Sequence, residues 1–259
     1  MTDIRYIAHL TDPHLLADPA ARLHGWAVAD AFEQVWADMR ACLPAPDALV
    51  LGGDLVDDLS PAGYRWLADR LAVLDCPVLA VAGNHDDPQA MRQHLRGAQV
   101  HGALDLGPWH LIGLNTQVPG AEHGQLRAHD RRRLDTALAD PTRQCLVVMH
   151  HPPIAVGTAW IDAIGLVDQT IFADQMAGGA SCRGVLAGHV HQAFTGALGD
   201  CPIWTTPSTM RQFLPGARTF AEDEAAPPGW RWLALHDDGR IETGIRRLGD
   251  RPRRIALKA

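Results

Sequence analysis

The chain has 259 residues, 47% of them hydrophobic, with a formal net charge of −7 and a pI of about 6.0. That length supports one large domain or two small ones with a sizeable core. An acidic chain with no basic stripe speaks against a nucleic-acid polymer as partner, and no apolar run is long enough to span a bilayer.

Five cysteines, Cys42, Cys76, Cys145, Cys182 and Cys201, are scattered and form no C-x-x-C pair. This pattern predicts free, mostly buried thiols in a reducing compartment. Residues 1–5 lack a charged region followed by an apolar stretch and a cleavage site, so a cytoplasmic protein is expected.

Ile4 to Leu10 reads as a buried strand, stopped by Thr11-Asp12-Pro13-His14. Asp30, with Glu33 three residues on, reads as a capping-box start. Phe32, Val35, Trp36, Met39 and Leu43 then follow a helical period and are expected in the core. Ala48 to Leu51 is a second strand, ended by Gly52-Gly53-Asp54. Ser60-Pro61 makes an N-cap and first helical position, and Tyr64, Leu67, Leu71 and Leu74 form that helix's apolar face. A third strand, Pro77 to Ala82, ends in Gly83-Asn84-His85-Asp86. Strand, helix, strand, helix, strand predicts a parallel sheet with right-handed crossovers. Parallel order puts the three polar strand ends on one edge, where α/β sheets bind ligands.

Gly107-Pro108, between apolar stretches over 103–116, reads as a hairpin. Leu126 to Leu138 is a helix, and its run Arg131-Arg132-Arg133 reads as a solvated face. Cys145 to Met149 is a strand ended by His150-His151-Pro152-Pro153. A loop with Trp160 and Asp162 precedes a helix from about Asp168 to Met176. Gly184 to Ala187 is a short strand ended by Gly188-His189-Val190-His191. Strands follow at Pro202–Thr206, Trp230–Leu235 and Arg240–Arg246, with a loop over 215–229. Residues 250–259 form a basic tail expected to fray. No repeat, low-complexity segment or linker divides the rest, which leaves one domain over 1–249.

Five strand ends thus carry seven donors: Asp12, His14, Asp54, Asn84, His150, His189 and His191. Taken singly, each cluster also has a structural reading, because Asp-x-His or Gly-Asp makes turns and paired histidines can cap a strand. Together, four imidazoles, two carboxylates and an amide suit borderline ions such as Zn, Mn, Fe or Co. Seven donors exceed the four of one tetrahedral zinc and suffice for two ions if a carboxylate bridges. Alternate residues of an extended segment share a side, so both members of each x-separated pair can approach one site. Two ions about 3.5–4 Å apart is an arrangement used for phosphoryl displacement. Whether His150 or His151 is the donor stays open at this point.

These blocks resemble the calcineurin-like metallophosphoesterases, whose pattern runs D-x-H, G-D, G-N-H-[E/D], H and G-H-x-H. All five appear in order between residues 12 and 191. Within that superfamily the chain resembles the bacterial class III cyclic-nucleotide phosphodiesterases. The residues carrying that second likeness are His150 to Pro153, Gly157 to Asp162, Ile164 to Leu166, Gln192, Thr206 to Thr209, Gln212-Phe213 and Pro228 to Arg231.

The resemblance implies a four-layer α/β sandwich of two mixed β-sheets flanked by helices. It implies one ion on Asp12, His14 and His191, another on Asn84, His150 and His189, and Asp54 as the bridge. The first of the histidine pair, His150, is the one the family places on metal. The expected activity is hydrolysis of a small phosphodiester, 3′,5′-cyclic AMP to 5′-AMP, by in-line attack of metal-bound hydroxide. His85 is expected as acid or phosphate-oxygen donor, and Asn84 and His85 would both meet the substrate. The plainer role for His85 is a hydrogen bond to a ligand carboxylate. Trp160 has two readings, a stack on a nucleobase or a structural indole. Two alternatives stand beside this activity. One is another phosphoesterase, acting on glycerophosphodiesters or on a nucleotide-lipid pyrophosphate, although no amphipathic basic helix marks a lipid-surface enzyme. The other is a non-catalytic scaffold on the same fold.

Overall fold

Alternation along the strands builds this molecule in four layers. The structure, a computed structural model, describes residues 3–179, 181–251 and 253–255. The first half runs β1 (Ile4–Leu10), α1 (Val28–Cys42), β2 (Ala48–Leu51), α2 (Pro61–Leu71), β3 (Val78–Ala80), α3 (Pro88–His94) and β4 (Ala98–Val100). It continues through β5 (Ala103–Leu106), β6 (Trp109–Gly113), α4 (Ala128–Leu138), β7 (Gln144–Val148), α5 (Ala159–Asp162), α6 (Gln169–Ala177) and β8 (Cys182–Ala187). The last strands are β9 (Thr195–Leu198), β10 (Cys201–Thr205), β11 (Gly229–His236) and β12 (Ile241–Arg247).

Two six-stranded sheets result, ordered β12-β11-β1-β2-β3-β4 and β5-β6-β7-β8-β10-β9. Each has a parallel core, β1-β2-β3-β4 or β6-β7-β8-β10, with antiparallel strands outside it. Side chains of a strand alternate between faces, and in these central strands both faces are apolar. Ala8, Leu10, Leu49, Leu51, Val78 and Ala80 pack outward with Phe32, Met39 and Tyr64 of the first helical layer. Their neighbours Ile7, Val50 and Leu79 turn inward against Trp109, Leu146, Val148 and Leu186 of the second sheet. Cys145, Val147 and Val185 face out again, onto Leu134, Phe172 and Met176 of the other helical layer. The order is therefore helix, sheet, sheet, helix, and the two parallel cores end on one edge.

Several boundaries differ from the sequence reading. The first helix begins at Val28, not at Asp30, and has no side-chain cap. Val28 and Ala31 pack on Met210, and that burial outweighs the capping-box signal. Ser60 does cap α2, accepting from Gly63 N at 3.2 Å, but that helix stops at Leu71, before Leu74. The segment with Trp160 and Asp162 is a short helix rather than a loop. Arg133 is not a solvated residue. Its guanidinium donates to the carbonyls of Gly113 and Gly102 and ties α4 to the sheet. In the tail, Ile255 N donates to Cys42 O, while 252 and 256–259 lie outside the described residues. No helix among the described residues is long and apolar enough to cross a membrane.

Candidate metal centre

Asp12 and His14 follow β1, Asp54 follows β2, Asn84 and His85 follow β3, His150 follows β7, and His189 and His191 follow β8. Two sheets thus deliver all the predicted residues to one place. The first loops stay in register beyond the strands, with Asp12 N on Gly53 O, His14 N on Asp54 O and Leu15 N on Leu55 O. The second sheet joins through His189 N, which donates to both carboxylate oxygens of Asp12 at 3.1 and 3.2 Å.

The backbone at these corners is unusual. Among the described residues, five of the eight non-glycine positions with positive φ are Asp12 (54°), His14 (47°), Asp54 (50°), His189 (69°) and His191 (48°). The left-handed region is costly for a residue with a Cβ, and such strain collects at functional sites. Glycines make the remaining room. A Cβ on Gly83 would collide with Asp54, one on Gly53 with His150, and one on Gly188 with Thr11 and Asp12.

Three of the histidines have one nitrogen fixed from behind. His14 Nδ1 donates to Asp57 Oδ1 at 2.8 Å, His191 Nδ1 to Arg211 O at 3.0 Å, and His150 Nδ1 to Gly52 O at 2.8 Å. A neutral imidazole that donates through Nδ1 carries a bare lone pair on Nε2. Those lone pairs face other acceptors. His14 Nε2 and His191 Nε2 are 3.2 Å apart. His191 Nε2 is 3.4 Å from Asp12 Oδ1, and His150 Nε2 is 3.3 Å from Asp54 Oδ2. Acceptor against acceptor in a buried site calls for a cation. A proton answers the same pull: burial opposes charge on His150, yet Asp54 and Asp12 push it up to about 9. The donors fit borderline metal ions in kind and in placement. Asp12, His14 and His191 converge as one group, and Asp12, Asp54 and His150 as another. His189 Nδ1 lies 3.1 Å from Asn84 Oδ1, and Asp54 stands between the His14 and His150 sides.

His151 sits close by, but both of its ring nitrogens are engaged, Nδ1 with Thr116 Oγ1 at 2.8 Å and Nε2 with Glu122 O at 3.0 Å. His150 Nε2, by contrast, is buried with no hydrogen-bond partner among the described residues.

Two carboxylates escape the sequence reading, and a third group is read there only in part, through Trp160 as a base stack. Asp57, three residues after Asp54, accepts from His14 and also lies 3.0 Å from His85 Nδ1. Burial works to raise its carboxyl, but the two histidines hold it below the usual carboxylate range. The same hydrogen bond pushes His85 up to about 9. Asp86 is buried and accepts from Gly83 N, Leu55 N, Val56 N and Tyr64 Oη, which welds the third strand end to the second. The G-D-x-x-D and N-H-D spacings were the only signals for either. The third group is aromatic. Phe213 stacks on His191 at 4.1 Å and 7°, while Trp160 and Phe220 meet edge-on at 5.2 Å. These rings line a cavity of about 230 Å³ that they share with His14, Asp54, Asn84, His85, His189 and His191, and with the charged Glu122 and Arg211.

Comparison with known proteins gives one family, two relatives and two solved structures of similar fold. The calcineurin-like phosphoesterase family profile matches residues 5–193. The 3′,5′-cyclic adenosine monophosphate phosphodiesterase of Pseudomonas aeruginosa is 36% identical over 249 residues, covering 94% of this chain and 90% of its own. A 3′,5′-cyclic-nucleotide phosphodiesterase of Nostoc is 35% identical over 248 residues, covering 93% and 92%. Among solved structures, a dimetal phosphatase from Danio rerio superposes with a TM-score of 0.67 at 14% identity, over 94% of this chain and 98% of its own. The anchor in the inner membrane complex of Plasmodium superposes with a TM-score of 0.66 at 13% identity, over 98% and 87%. At such identities these likenesses speak to the fold alone.

Proposed function

The chain belongs to the calcineurin-like phosphoesterases, and from that premise we propose that it hydrolyses 3′,5′-cyclic AMP to 5′-AMP at a two-metal centre. One domain, residues 1–249, carries the site, and five free cysteines fit a reducing, cytoplasmic setting. The observation that carries the substrate is the shared cavity, which the proposed metal donors line together with Trp160, Phe213 and Phe220. A nucleobase has a face for such rings, whereas a glycerophosphodiester has none.

Asp12, His14 and His191 would hold one ion, Asn84, His150 and His189 the other, and Asp54 would bridge. His150 is the ligand of its pair, since its neighbour's nitrogens are spoken for. When bound, the ions supply a nucleophile at neutral pH and offset the charge on the phosphoryl oxygens. Fe, Mn, Zn and Co all suit the donor set.

The chain's own part is positioning and proton transfer. Asp57 orients His85 by accepting from Nδ1, which leaves Nε2 to serve the substrate. The protonated ring donates that proton to the departing ribose 3′-oxygen. Asp57 also holds the tautomer of His14, so one carboxylate sets both the metal side and the acid side.

Rates on cyclic AMP, cyclic GMP, a glycerophosphodiester and an aryl diester, after reconstitution with each metal, test the proposal. Faster turnover of the glycerophosphodiester would reassign the substrate. Two bound ions without hydrolysis of any diester would point to a scaffold on the same fold. The aromatic wall makes its own prediction. Base stacking is worth about 1–3 kcal/mol by alanine substitution, and 1.4 kcal/mol is tenfold. Trp160→Ala and Phe220→Ala are therefore expected to raise KM for cyclic AMP about tenfold, with kcat and the glycerophosphodiester rate little changed. Equal losses on both substrates would remove the base from that wall.

A further inference from the structure

Three of the five thiols meet at the far end of the second sheet. Cys201 Sγ lies 3.4 Å from Cys182 Sγ, and Cys145 stands opposite Cys182 on the strand at its other side. Cys145 and Cys182 come from adjacent strands, paired with each other in the β7–β8 register. Cys201 opens β10, the strand beside β8. Cys182 and Cys201 line a cavity of about 820 Å³ together with Arg183 and Asp200, so small solutes reach them from solvent. Cys145 is fully buried behind them. The remaining thiols, Cys42 and Cys76, share no contact with this trio or with each other among the described hydrogen bonds.

We propose that Cys182 and Cys201 form a reversible oxidation site that takes a hydroperoxide as oxidant and closes to an intramolecular disulfide. The central sulfur is the nucleophile. Cys145 on the neighbouring strand and Cys201, whose S–H donates to Cys182 at 3.4 Å, hold the Cys182 thiol below its ordinary range, with Arg183 adding to the effect, and it is the thiolate that reacts. Its attack on the hydroperoxide forms an S–O bond and breaks O–O, giving a sulfenic acid and releasing an alkoxide or hydroxide. The Cys201 proton neutralises that leaving group. The Cys201 sulfur then attacks Cys182, forming S–S and breaking S–O, and the hydroxide expelled takes up the proton that Cys182 gave to solvent on ionising and leaves as water. Two thiols and one hydroperoxide give one disulfide, one alcohol or water, and one water. The sulfurs must close from 3.4 Å to about 2.05 Å, a movement within the reach of side-chain rotation at the ends of neighbouring strands.

The segment between these cysteines contains Gly188-His189-Val190-His191. The thiols themselves stand at the start of β8 and the histidines beyond its end, about 20 Å along the strand at its ordinary rise. Oxidation therefore ties the two ends of the histidine-bearing segment without touching the metal donors, and turnover by the metal-loaded enzyme is expected to stay within about twofold, well short of the 10²-fold that loss of a catalytic group brings.

The experiment treats metal-loaded enzyme with hydrogen peroxide, quenches with catalase, alkylates the remaining thiols and maps the peptides. Expected are three alkylated cysteines of the five, a mass loss of two hydrogens, a Cys182–Cys201 linked peptide, and full reversal by dithiothreitol. Cys201→Ser and Cys201→Ala, prepared separately so that one folding failure is not decisive, should lose that peptide and let dimedone capture Cys182. Full alkylation of all five thiols after peroxide would overturn the proposal. So would oxygen adducts with no linked peptide, or a link running through Cys42 or Cys76.

Discussion

Asp54→Ala protein is expected to retain neither metal ion in stoichiometric amount and to lose cyclic AMP turnover by roughly 10⁴ or more. Each ion contributes several kcal/mol of transition-state stabilisation, and each 1.36 kcal/mol is a factor of ten. The expectation rests on where the carboxylate stands. Oδ2 faces His150 Nε2 at 3.3 Å and His14 Nε2 at 3.7 Å, one from each side of the centre. Oδ1 accepts from His85 N at 2.8 Å and so holds the third loop as well. Burial works against charge on Asp54, yet the facing histidines keep it well below the usual range, so its charge is available to two cations. Asn84→Ala, which removes a neutral amide from one side only, is expected to weaken one ion more than the other. Metal analysis of both purified variants decides the matter. An Asp54→Ala protein with two ions and full turnover would show that the bridge is elsewhere.

His85→Ala is expected to slow cyclic AMP hydrolysis by about 10²–10⁴, the usual worth of a positioned general acid, and to slow an activated aryl diester far less. Opening the cyclic diester expels a ribose alkoxide that needs a proton, whereas a phenolate leaves without one. His85 can act this way because Asp57 grips Nδ1 and the ring stands edge-on to His14 at 4.9 Å, over the metal donors. Equal loss on both substrates, with both ions confirmed, would make His85 a phosphate ligand rather than an acid. Asp57→Asn should follow His85→Ala in sign on the two substrates. It should also loosen the ion on His14, because outer partners of metal ligands contribute 10–100-fold to affinity.

The strand ends were legible because each buried strand stops at a polar cluster, and the parallel pattern alone sets such ends on a common edge. Asp57 was not legible as a partner of His85, since 28 residues and a helix separate them and only the fold closes that gap. The choice between His150 and His151 was open for the same reason. It turns on Thr116 and Glu122, which arrive from another loop. Phe213 and Phe220 lie on an irregular segment with no period to read, and their wall forms only when it folds against α5. The short elements α3, β4 and β9 left no trace in hydrophobic pattern because half a dozen residues are too few to show one. At Asp30 the local capping signal was present but lost to the packing of Val28 on Met210.

The left-handed corners tie metal chemistry to the energetics of the whole molecule. A non-glycine residue in that region costs about 1–2 kcal/mol. Asp12, His14, Asp54, His189 and His191 all sit there, and although Asp and His tolerate it better than most residues, the five corners concentrate strain that the surrounding contacts must offset. On the two-metal reading proposed above, ions that bind only the assembled corners would offset that strain by mass action, in proportion to the logarithm of their free concentration. Unfolding and demetallation would then be one linked equilibrium, and a melting temperature is expected to rise with the free metal concentration, which thermal melts at several fixed concentrations would check.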